Sequence, residues 1–239
     1  RWKGLVSFAA FEDHEREVLG DLDDFDTTVE KAVEVAMYTI RNEMKLYSLG
    51  PWSNQPYYPE IWIEKKALIG AFRDVCEEYG VPLFPCKGYP SLTSLYGAAR
   101  RFLDAHLDNK QPVIIYFGDY DPSGEDIPRS IEKNLRKLGG PVQVRRAALF
   151  EEQVVEWGLP PAPVKRGDSR SAYWDGIGQV ELDAVGQKRL QKLVRQELDE
   201  LFDEELHYEL AEREAEENEQ YIEQMKDKLL KYVDSIKED

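Results

Sequence analysis

The chain has 239 residues, 42% of them hydrophobic and 33% charged, so it can bury the core of one large domain and wholesale disorder is excluded. Its 47 acidic residues outnumber 31 basic ones for a net charge of −16, which excludes a uniformly basic nucleic-acid coat. The longest apolar runs, such as 112–117, are far too short to cross a bilayer, so no membrane partner is expected.

Residues 26–47 have helical periodicity (Val29, Ala32, Val33, Ala36, Ile40, Met44), with Asp26 or Thr27 as a cap. The proline-containing stretch 50–59 reads as a loop. A regular alternation follows. Residues 60–63 form a short strand pattern, 66–79 a helix closed by Gly80, 81–86 a strand, and 90–106 a helix capped by Ser91. Residues 112–117 are apolar on both faces, as a central parallel strand is. A helix over 124–138 and a strand over 142–149 complete the alternation. Strands alternating with helices of this length predict βαβ units, an α/β fold and a parallel sheet flanked by helices.

Beyond Phe150 the pattern changes. Residues 151–157 read as a short helix and 158–180 as a long loop rich in proline, glycine and charge, too long for an idle connection. From 186 to the end, apolar residues spaced three and four apart predict two or more helices, the last coiled-coil-like, around a polar stretch at 211–220. The expected organisation is a helical extension over 1–50, an α/β domain over 51–185 and acidic helices over 186–239. The apolar stripe of the last helix offers a homodimer seam, with intramolecular packing as the other use. Residues 1–50 carry 6 basic and 11 acidic groups, 51–186 carry 16 and 19, and 187–239 carry 9 and 17, so the acidity sits in the flanks. With Cys76 and Cys86 as its two cysteines, the chain has neither a disulfide framework nor an unaided zinc site, and a reducing, cytoplasmic compartment is expected. The first residues do not read as a signal peptide, and Arg1 in place of an initiating Met suggests a piece of a longer protein.

In an open parallel sheet, ligands bind beyond the carboxyl ends of the strands. Two predicted strands end in acids: one at Glu64-Lys65-Lys66, the other at Asp119-Tyr120-Asp121-Pro122-Ser123-Gly124. Asp119 and Asp121 are two apart, so in extended backbone both point to one side. Side-by-side carboxylates repel and favour a hard cation such as Mg2+ (or Mn2+). The turn at Ser123 and Gly124 opens a helix whose free N–H groups suit a phosphate. An ordinary acidic turn with a helix cap is the plain alternative.

Glu64 followed by Asp119-x-Asp121-x-x-Gly124, in a β-α-β-α-β-α frame over residues 59–150, resembles the Toprim (Rossmann-like) domain of topoisomerases, bacterial primases, OLD-family nucleases and RNA-maturation nucleases. The wording around Asp119, with Lys87-Gly88-Tyr89-Pro90 upstream, is most similar to the A subunit of type IIB topoisomerases and to uncharacterised Toprim proteins of phages and mobile elements. The resemblance implies that Glu64 is a general acid/base or metal ligand and that Asp119 and Asp121 bind metal. It implies magnesium-dependent cleavage of DNA, with RNA as the other possible substrate. Attack by water makes a nuclease; attack by a tyrosine makes a topoisomerase-like subunit. In those relatives the tyrosine lies in a winged-helix domain, of which residues 1–25 can be the tail. In haloacid-dehalogenase phosphatases an Asp-x-Asp opens the domain, whereas here two βα units precede it. A non-catalytic interaction protein with a relic Toprim is the remaining alternative. Glu181 and Asp183 form a second acid-x-acid pair, a candidate for a second metal or simply an acidic helix start. Lys65, Lys87, Arg145, Lys165, Arg166 and Arg170 are candidate nucleic-acid contacts. Arg145 and Arg146 are adjacent in a strand, so only one can face the site.

Overall fold

A computed structural model of the chain describes residues 28–44, 48–163 and 174–237. Lys165, Arg166 and Arg170 lie outside them. Strand β1 (Tyr57–Ile63) leads through a short 3-10 turn (Lys66–Leu68) into a helix, Ile69–Tyr79, and then into β2 (Leu83–Pro85). Helix Leu92–Leu107 leads to β3 (Gln111–Phe117), and helix Pro122–Lys137 to β4 (Gln143–Ala148). With Val29–Met44 as α1, these three helices are α2, α3 and α4. Helix α5 (Glu151–Glu156), a 3-10 turn (Leu182–Val185), α6 (Gln187–Asp199) and α7 (Glu204–Lys237) follow.

The four strands form one all-parallel sheet in the order β2-β1-β3-β4. The chain winds outward from β1 to β2, returns past β1 to β3, and continues to β4. Right-handed crossovers then require α2 on one face and α3 and α4 on the other. That is the packing observed. Phe72 and Val75 of α2 lie with Ile61, Ile63, Ile115 and Phe117 in one core, which α6 completes with Leu190, Val194 and Leu198. Leu95 and Phe102 of α3 and Ile127 and Ile131 of α4 lie with Trp62, Ile114 and Tyr116 in the other. The reversal of winding falls between β1 and β3, the topological switch point at which open α/β sheets commonly bind ligands.

Sequence and structure differ in detail. β1 begins at Tyr57, three residues before the predicted start, and runs through Pro59. Pro59 pairs with Val113 of β3, whereas pairing with β2 begins only at Ile61. The N–H of Ile61 bonds to Pro82 on the β2 side, so the N–H that Pro59 lacks would point where no strand lies. Gly80 caps α2 in the left-handed region at φ 64° and Ser91 caps α3 by accepting the Ser94 N–H, as the sequence predicts. The polar stretch 211–220 lies inside α7, which is unbroken over 34 residues.

Two compact units are distinguished: 49–214 holds the sheet, and the other takes residues from both ends of the chain, 1–48 and 215–239. The boundary expected at 185 falls inside the sheet unit, because α6 packs into its core. Among the described residues no helix is long and apolar enough to cross a membrane.

On the sheet's α3 face a buried carboxylate is paired with a half-exposed arginine. Glu60 is fully buried and accepts two bonds from Arg101, at 2.8 and 3.0 Å, and one from Trp62 Nε1 at 2.9 Å. Every lone-pair direction of the carboxylate that matters is filled, as a buried charge requires.

Candidate active site at the sheet's carboxyl edge

β1 and β3 end side by side, with Ile63 opposite Phe117. Glu64 therefore leaves β1 beside Gly118 and Asp119. Its Oε2 accepts the backbone N–H of Asp119 at 2.9 Å and a longer bond, 3.4 Å, from the Tyr116 hydroxyl. A side chain at Gly118 would meet Glu64 Oε2 and the Tyr116 ring within 2.8 Å, so a glycine is needed for this approach. Burial, then the charges of Asp119 and Asp121, push the Glu64 carboxyl up to about 7.

Asp119 is 6% exposed. Its Oδ1 accepts the Leu182 N–H at 2.8 Å, and its Oδ2 meets the Lys65 ammonium at 3.1 Å. Burial raises its pKa against the pull of Leu182 and Lys65 in the other direction. Asp121 stands at the start of α4, where its Oδ1 accepts the Gly124 N–H at 2.6 Å. That N–H is thus occupied by a carboxylate. Ser123 is the second residue of the helix. Gly124 has a steric reason to be glycine: a Cβ there would lie 2.1 Å from the Asp119 carbonyl oxygen.

The acid-x-acid pair at 181–183 joins the same cluster, through a lysine. Lys65 Nζ lies 3.0 Å from Glu181 Oε2 and 3.7 Å from Asp183 Oδ1 while also contacting Asp119. Burial works against its charge, but Glu181 and Asp119 outweigh it and raise its pKa. Lys65 is therefore the internal counter-ion of three carboxylates. The segment carrying Glu181 is held by paired backbone bonds between Tyr120 and Val180, at 2.8 and 2.9 Å, and between Ala162 and Gln179, also at 2.8 and 2.9 Å. The ring of Trp174 packs 5.0 Å from that of Tyr120. The described limbs of the long loop thus strap the end of β3.

The basic candidates divide. Lys87 is exposed in the turn after β2, at φ 56°, and the next residue, Gly88, bonds to the Glu64 carbonyl at 3.3 Å. Lys87 is thus held next to the end of β1. Arg145 pairs with Ile115 in register and reaches Glu200 at 3.6 Å, on the α6 side of the sheet. Arg146, opposite Tyr116, is the one that faces the acids; its Nη2 donates to the Asp119 carbonyl at 2.9 Å. Alternation along β4 forces this choice, and the register fixes which arginine it falls on.

All donors at the site are oxygens, the set that suits Mg2+ or Mn2+. Glu64 carries the imprint of two neighbouring acids in its raised pKa, a repulsion that a cation would relieve. Among the described residues no three acidic, histidine or cysteine side chains converge into a ready-made cage. Magnesium is usually held by one or two carboxylates and keeps several waters, so the donor set still fits it. In comparisons with known proteins, no family model, no curated protein and no solved structure matches the chain.

Proposed function

We propose that the chain is a Toprim-type nuclease that hydrolyses DNA phosphodiester bonds with Mg2+ or Mn2+. The observation that carries this reading is the meeting of Glu64 and Asp119 at the switch point of the parallel sheet, with Asp121 two residues on. Asp119 and Asp121, with Glu64, would hold the ion. When bound, it would neutralise the phosphodiester and stabilise the leaving oxygen.

The protein's own groups do the rest. Raised to about 7 in the metal-free protein by burial and its acidic neighbours, Glu64 would be deprotonated once a cation offsets them, free to act as a ligand or to take a proton from an attacking water. The Asp119 N–H orients Glu64, and Leu182 and Lys65 orient Asp119. Lys87, in the turn after β2, would add exposed positive charge near Glu64. Water is favoured over tyrosine as attacker because, among the described residues, the tyrosines beside the acids are committed: Tyr116 is buried against Glu64, and Tyr120 is buried and donates to Glu151.

The test is a labelled DNA incubated with Mg2+ or Mn2+ and split with and without protease before electrophoresis. Free cleaved ends in both halves support hydrolysis. Ends that enter the gel only after protease mean transfer to a tyrosine, the topoisomerase-like alternative.

A further inference from the structure

Arg146 is the least well paired buried charge at the site. Its side chain is 11% exposed. Nη2 donates to the Asp119 carbonyl at 2.9 Å, and Nη1 stands 3.4 Å from Oε1 of Glu125, in the first turn of α4. The guanidinium carbon lies 5.2 Å from the centre of the Phe150 ring. Nε is buried with no hydrogen-bond partner. Among the described residues, the one carboxylate in ion-pair contact is itself half exposed, with 51% of its side chain open to solvent.

The contrast is with Glu60 and Arg101, where the pair is bidentate and close. A nearly buried cation with one carbonyl bond and one loose, half-exposed carboxylate recovers little of what burial costs it. Arginine carries five donors in a planar fork that matches phosphate oxygens, and here one edge of the fork lacks a close partner. That edge belongs to a side chain bonded to the backbone of Asp119, at the sheet end where the acids lie.

We propose that Arg146 is a phosphate-binding residue, and that Glu125 holds the place of a phosphate oxygen until the nucleic acid arrives. The inference rests on the nucleic-acid reading above and names the contact that would engage the backbone next to the acids. Glu125 can leave without penalty to the core, because its carboxylate already meets solvent. Arg145, on the other face of β4, has no part in it.

The test is a cycle of four proteins: wild type, Glu125→Gln, Arg146→Gln and the double variant. Each is titrated in EDTA against a labelled short single strand and a short duplex, over a salt series, by fluorescence anisotropy. Arg146→Gln is expected to weaken binding about tenfold or more, as loss of a charge-assisted bond does. It should also lower the slope of log affinity against log salt by about one. Glu125→Gln is expected to tighten binding several-fold in the wild-type background and to have no effect when Arg146 is already glutamine. Arg146→Lys should keep the salt slope and lose part of the affinity. Equal tightening by Glu125→Gln in both backgrounds would show that only net charge matters and overturn the assignment. If Arg146→Gln fails to fold, unchanged affinity in Glu125→Gln alone overturns it. Binding by none of the proteins would remove the nucleic-acid reading, and this assignment with it.

Discussion

The side chain of Glu64, at the end of β1, accepts the backbone N–H of Asp119, at the end of β3, at 2.9 Å. The bond fixes two acids from distant parts of the chain against each other across the switch point. It also holds Glu64 where burial and the neighbouring acids raise its pKa. Its folded pKa, about 7, lies above its ordinary value, so the folded state favours the protonated form. The contribution of this group to stability is then fully present below about pH 4.5 and is lost as pH rises toward 7. The change is on the order of 2–3 kcal/mol after allowance for solvent screening. Denaturant unfolding of wild type and Glu64→Gln at pH 5 and pH 8 checks it: the variant is expected to gain on wild type at the higher pH. An equal difference at both values contradicts the shifted carboxyl.

Lys65 is expected to oppose cation binding, since its ammonium already neutralises Asp119, Glu181 and Asp183. Lys65→Met should destabilise the metal-free protein by about 1–3 kcal/mol, the usual penalty for leaving buried charge uncompensated. Mg2+ should then raise the Tm of the variant more than that of wild type. A smaller rise in the variant would mean that Lys65 supports metal binding instead.

The Glu60–Arg101 pair is structural and stands apart from the acids. Arg101→Met should cost about 1–3 kcal/mol, because it removes the charged partner of a fully buried carboxylate. Adding Glu60→Gln should recover part of that loss. Calorimetric or denaturant melts of the two variants decide, and a double variant less stable than Arg101→Met would contradict the account.

Gly124→Ala places a carbon 2.1 Å from the Asp119 carbonyl, a clash with backbone that no rotamer relieves. It should destabilise by about 1–3 kcal/mol or more, and it should weaken the response of Tm to Mg2+ as well, because Asp119 must move. A stable variant with the full metal response would mean that the start of α4 is not coupled to the site.

Much of this was legible in the sequence. The apolar run before Phe117 marks a central strand, and acids at the ends of two strands in a βαβ frame mark a crevice. Three things were not legible. Pro59 reads as a breaker, yet it sits in β1 because β2 is too short to reach it. The choice between Arg145 and Arg146 depends on the phase of β4, which the register with Tyr116 sets and local sequence does not. Lys65 reads as a nucleic-acid contact beside Glu64, but Glu181 and Asp183 come back to it across more than a hundred residues. Such a contact is a product of tertiary folding. The acidic pair itself was visible in sequence, and its missing partner was the cation.

The most direct measurement is cleavage of supercoiled plasmid in Mg2+ and then Mn2+ by wild type, Asp119→Asn and Asp121→Asn, with each variant shown to be folded. The account predicts nicked or linear DNA from wild type, none in EDTA, and loss of cleavage in both variants. Cleavage that survives in folded Asp119→Asn, or its absence from wild type in both metals, would contradict a self-sufficient nuclease built on these acids.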